Sequence, residues 1–111
     1  MRVALLILMM GCSRPDPCVQ MCASAEDLYG GCLDDWDVGW TAAGYADGDD
    51  FVDTCETWSW EMRHLERDAR RRGVAERGAL DQTCTARDAR FSADDATCDD
   101  FTDVDWSQTP W

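Results

Sequence analysis

Sulfur and carboxylate are the reactive groups this sequence carries in quantity. It has seven cysteines, Cys12, Cys18, Cys22, Cys32, Cys55, Cys84 and Cys98, and 23 Asp or Glu among 111 residues. Cys18 and Cys22 would lie one turn apart on a helix, a spacing that suits two soft metal ligands. No second pair and no His stands at zinc-site spacing, and there is no C-x-x-C redox pair. Disulfide formation is the better use of these thiols. The segment Asp47-Gly48-Asp49-Asp50-Phe51-Val52-Asp53 is dense in hard oxygen ligands but lacks the EF-hand order, and acids at a helix start are explained by capping and the helix dipole. A carboxylate pair for acid–base hydrolysis has no specificity among so many acids. The lone His64 stands four residues before Asp68, as a surface ion pair would. No nucleophile motif and no phosphate-cradling glycine loop is present. The sequence therefore predicts no metal, no cofactor and no enzyme.

Six tryptophans are many for this length. Core filling accounts for most of them in a small domain. Trp40, Trp60 and Trp106 are the candidates for an exposed aromatic face beside acids, the arrangement with which proteins grip sugar rings.

The amino-terminal stretch carries a different chemistry. Arg2 is followed by eight aliphatic or sulfur-containing residues, Val3 to Met10, and then by Gly11-Cys12. That is the charge and apolar pattern of an export signal, and it falls far below the ~20 apolar residues that span a bilayer. Met9-Met10-Gly11-Cys12 resembles the lipobox of bacterial lipoproteins. The resemblance implies that residues 1–11 are a signal peptide removed after Gly11 and that Cys12 becomes the acylated amino terminus. It also implies that Ser13, lacking the Asp that retains such proteins in the inner membrane, directs the product to the outer membrane. Cysteine parity supports this independently. Seven thiols cannot all pair within one exported chain, but removing Cys12 leaves six for three bridges in an oxidising compartment.

The formal net charge is −13, with no Lys at all, and loss of the signal would remove Arg2 as well. Such a field repels nucleic acid and anionic headgroups, so contact with the lipid bilayer would depend on the acyl chains. The expected partners are an envelope protein or a glycan, and no nucleic acid.

The elements that position these groups read as helices. Phe51, Cys55, Trp58, Met62, Leu65 and Ala69 alternate four- and three-residue steps, which keeps one side of a helix apolar from Asp50 to Arg72. Asp50 with Asp53 resembles a capping box, and Gly73 suits the left-handed stop. Glu66 with Arg70, and Asp68 with Arg72, are acid-before-base pairs four residues apart. Asp16-Pro17 opens an earlier helix whose apolar points are Cys18, Cys22, Ala25, Tyr29, Cys32 and Trp36, with a break expected at Gly30-Gly31. A loop is expected from Trp36 to Gly48. A third helix is expected from about Val74 to Arg90, and a fourth from Ala93 to about Phe101 behind Ser92.

The expected architecture is all-α, a small disulfide-stapled bundle of three to four helices. Residues 12–16 form the lipidated Cys and a tether, 17–101 the helical domain, and 102–111 an acidic Trp-containing tail. Running the first two helices antiparallel from the intervening loop places Cys32 level with Cys55. The same height argument pairs Cys22 with Cys84 and leaves Cys18 for Cys98. Other connectivities stay open.

Overall fold

The computed structural model describes residues 15–111. The expected signal peptide, residues 1–11, and the expected acylation site Cys12 lie outside these residues. Every regular element among the described residues is a helix, in the order α1 (Pro17–Asp35), α2 (Trp40–Ala43), α3 (Gly48–Arg71), α4 (Ala79–Phe91) and α5 (Cys98–Thr102). Three long helices and two short ones make the all-α, disulfide-stapled bundle that the sequence predicts.

Helix α1 starts where the sequence indicates. The Asp16 carboxylate accepts a hydrogen bond from the Cys18 amide at 2.8 Å, and Pro17 takes the first helical position, where its missing N–H is no loss. The helix does not break at the glycine pair but runs unbroken to Asp35. Gly30 has a packing role instead: a Cβ there would lie 3.2 Å from the Trp40 ring, so the bare backbone lets α2 fold close against α1.

Helix α3 carries the long amphipathic stretch, with its cap three residues earlier than expected. Asp47, not Asp50, accepts from the Asp50 amide at 2.8 Å, while the Asp50 carboxylate accepts from the Ala46 amide at 2.8 Å. Gly73 ends the helix with φ of 71°, and the bonds Gly73 N–H to Arg70 C=O and Val74 N–H to Ala69 C=O complete a Schellman stop. The buried face is Phe51, Cys55, Ser59, Met62, Glu66 and Ala69. Ser59 and Glu66 stand where Trp58 and Leu65 were expected, so the face is rotated by one residue in its middle. The cause is the neighbour. Glu66 Oε2 accepts from the Leu80 amide at 2.7 Å and so caps the amino end of α4, whose N-cap residue Gly78 has no side chain to do it. Glu66 is therefore not a surface partner of Arg70, whereas Asp68 does pair with Arg72 at 3.2 Å.

Helix α4 begins at Ala79, five residues later than expected, behind a left-handed Gly78. Ser92 closes α4 by donating to the Asp88 carbonyl at 2.7 Å rather than opening the next helix. Helix α5 starts instead at Cys98, where the Thr97 amide donates to Asp100 at 2.8 Å.

Helix α1 is the hub of the fold. It packs most extensively on α4, then on α3, then on α5. Every disulfide has one end on it: Cys18 joins Cys84 on α4, Cys22 joins Cys55 on α3, and Cys32 joins Cys98 on α5. The expected pairs Cys32–Cys55, Cys22–Cys84 and Cys18–Cys98 are thus corrected. The six cysteines are all bridged and each bridge ties α1 to a different later helix, but the partners are permuted. The error lies in one register. Cys22 rather than Cys32 faces Cys55, a shift of ten residues or about 15 Å along α1. The segment between α1 and α3 is not a tip from which both helices leave at equal height. It folds back through α2, leaving the last turns of α1 to overhang α3 and present Cys32 to α5.

The core follows from this arrangement. Met21, Leu80 and the Cys18, Cys22 and Cys84 sulfurs are fully enclosed, and Phe51, Met62, Phe91 and Phe101 complete the apolar centre. Val104, Trp106 and Trp111 of the acidic carboxyl-terminal segment pack against it. No helix among the described residues is long and apolar enough to cross a membrane.

Candidate functional site

Aromatic rings collect at the end of the bundle where α2, α3 and α5 meet. Tyr29 on α1 stacks on Phe101 at 4.5 Å between centroids, and Phe51 lies 5.7 Å from Tyr29 and 5.8 Å from Phe101. Trp40 packs against Tyr29 at 5.7 Å, Phe51 at 5.4 Å and Tyr45 at 6.1 Å. These separations and tilts match the offset and edge-on geometries that ring quadrupoles favour.

The rings leave a solvent-open cleft of about 210 Å³ between α3 and the carboxyl-terminal segment. Tyr45, Phe51, Thr54, Trp58, Phe101 and Trp106 line it, and Cys55 borders it. Two contacts fix its far wall. The Trp58 indole N–H donates to the Trp106 carbonyl at 2.7 Å, and the two rings meet edge to face at 5.1 Å and 90°. The Arg87 guanidinium stands 5.5 Å from the Trp58 ring and 5.0 Å from the Trp106 ring, a cation over two aromatic faces. Its Nη1 is buried with no hydrogen-bond partner among the described residues, and burial lowers the Arg87 pKa from its ordinary value. On the opposite side the Tyr45 phenol pKa is raised, first by burial and then by the neighbouring Tyr29 and the Asp50 charge.

A second, shallow groove lies on the outer face of α3, formed by Asp53, Glu56, Thr57 and Trp60. Trp60 is 64% exposed, and its ring meets His64 edge-on at 4.3 Å. His64 is thus one turn from a tryptophan it touches, while Asp68 is engaged by Arg72.

The three tryptophans singled out from the sequence therefore occupy three different settings. Trp40 is packing within the aromatic cluster, Trp106 lines the cleft, and Trp60 stands alone on α3. The cleft itself was not foreseen as a unit. In the sequence Trp58 falls on the apolar side of its helix, and the approach of the carboxyl-terminal segment that closes the cleft leaves no periodic signal.

Several of the carboxylates are engaged in holding the fold. Asp16 and Asp81 approach Cys18 closely enough to suggest a metal cluster, but Cys18 is in a disulfide. The Arg63 guanidinium holds both acids, at 2.7 Å and 2.9 Å, and so ties the starts of α1 and α4 to the middle of α3. In the acidic segment where α3 begins, Asp47 and Asp50 are engaged in capping. No protein-family model, no curated protein and no solved structure matches the chain.

Proposed function

We propose that this is a small bacterial envelope lipoprotein whose role is to bind a partner protein rather than to catalyse a reaction. In this reading residues 1–11 are the signal peptide, and Cys12 carries the acyl chains that hold the domain on the membrane, the outer one by virtue of Ser13. Pairing of the other six cysteines leaves Cys12 as the one cysteine for that role. The observation that carries the binding role is Trp60, held 64% exposed on the longest helix of a cross-linked scaffold. A large aromatic fixed in water on a rigid element is a typical anchor for a protein partner. A photo-crosslinking residue at position 60 is expected to capture one discrete envelope protein, while the same residue at the exposed Asp94 captures none. Equal, diffuse labelling from both positions would contradict it.

A second reading is favoured by the groove beside that ring. Asp53, Glu56 and Thr57 surround Trp60 with hydrogen-bonding groups, the chemistry of a sugar-binding platform. Trp40 and Trp106 take no part in that groove. Titration with soluble cell-wall fragments separates the two readings: a Trp60-dependent fluorescence shift supports the glycan, and no shift at about millimolar ligand supports the protein partner.

A further inference from the structure

We propose that the aromatic cleft between α3 and the carboxyl-terminal segment is a binding site for a small neutral aromatic molecule of about two fused rings. The site is distinct from the Trp60 groove, so its failure would leave that reading untouched.

Size is the first argument. An apolar cavity of about 150 Å³ accommodates one benzene ring. The cleft, at about 210 Å³, has room for a second fused ring. Shape is the next. Four of the residues that line it, Phe51, Trp58, Phe101 and Trp106, are aromatic and come from α3, α5 and the carboxyl-terminal segment, which favours a flat π-system over a flexible chain. Polarity then narrows the ligand. Tyr45 and Thr54 supply the hydroxyls of the lining. The Thr54 hydroxyl donates to the Asp50 carbonyl at 2.9 Å, so its oxygen remains free to accept from a ring N–H or O–H. Charge disfavours anions. The chain carries −13, and Asp50 is close enough to raise the Tyr45 pKa. Arg87, with its Nη1 buried, packs against Trp58 and Trp106 and is not among the residues that line the cleft, so it offers a ligand carboxylate no partner there.

The probe is indole, titrated into the oxidised protein and followed by the indole N–H resonances of its tryptophans. Trp58 and Trp106 are expected to shift with a dissociation constant below about 1 mM, while Trp36 and Trp60 stay in place. Indole-3-acetate, the anionic analogue, is expected to bind at least about tenfold more weakly, and octanol also more weakly than indole. Thr54→Trp closes the cleft from its exposed rim and is expected to weaken indole binding more than about tenfold with an unchanged melting temperature. Thr54→Ala leaves the cleft open but removes the acceptor, and is expected to weaken indole binding about two- to tenfold, less than Thr54→Trp does. Absence of any shift at about 5 mM indole would overturn the proposal. So would shifts confined to Trp36 or Trp60, binding unaffected by Thr54→Trp, or a preference for octanol.

Discussion

Gly30 and Gly31 are neighbours on one helix with opposite roles, and the difference lies in what faces each of them. Nothing lies within 4 Å of a Cβ built on Gly31, whereas Gly30 meets Trp40 at 3.2 Å. Gly31→Ala is therefore expected to raise stability by about 1 kcal/mol, the cost of a helical glycine relative to alanine. Gly30→Ala gains the same propensity but pushes the Trp40 ring aside, so it is expected to give a smaller gain or a loss, with altered Trp40 fluorescence. Paired urea melts of the two variants check this. Glu66 is the residue whose role was hardest to read. Four residues before an arginine on a charged helix, it has the pattern of an exposed ion pair, yet it is buried and holds the first turn of α4. Glu66→Ala is expected to cost about 1–3 kcal/mol by leaving a buried amide unpaired, and Arg70→Ala close to nothing. Local periodicity reports which residues share a helical face. It does not report that another helix ends there, and that is why Glu66 and Ser59 were missed while Asp16, Pro17 and Gly73 were legible from their own neighbours.

Helix existence and most of the capping chemistry could be read because they are set within a few residues. The pairing of elements was not legible to the same degree, because it depends on the path of the segment joining α1 to α3. Treating residues 36–48 as a simple loop placed Cys32 opposite Cys55. The short α2, folded onto Gly30, moves that register by ten residues. The aromatic cleft was hidden for a related reason: it is built from α3, α5 and the loop carrying Tyr45, which meet only once the register is known. One consequence concerns the Cys32–Cys98 bridge, which fastens α5 and the segment after it to the overhanging end of α1. Replacing both cysteines by Ala is expected to cost about 2–4 kcal/mol. Amide exchange is expected to quicken first in residues 98–111 and around Trp58, with α1 and α4 still protected. Removal of Cys18–Cys84 is expected instead to expose the most extensive interface, between α1 and α4.

On the scale of the whole molecule, a thin core is held together against strong self-repulsion. A formal charge of −13 on 111 residues favours expansion, and salt weakens that repulsion. The melting temperature is therefore expected to rise as NaCl goes from about 10 mM to about 0.5 M. Full reduction is expected to abolish the cooperative melt, since three bridges at about 2–4 kcal/mol each are comparable to the net stability of a small domain. Both expectations belong to a domain in which helix α1 is the cross-linked spine to which the rest is bolted.

The most direct test is intact mass spectrometry of the natural protein from the membrane fraction, before and after reduction. The account predicts a chain starting at Cys12, acylated there, with no free thiol until reduction adds the mass of six hydrogens. Cross-linked peptides are expected to join Cys18 to Cys84, Cys22 to Cys55 and Cys32 to Cys98. A water-soluble product that retains residues 1–11 and carries free cysteines would contradict it.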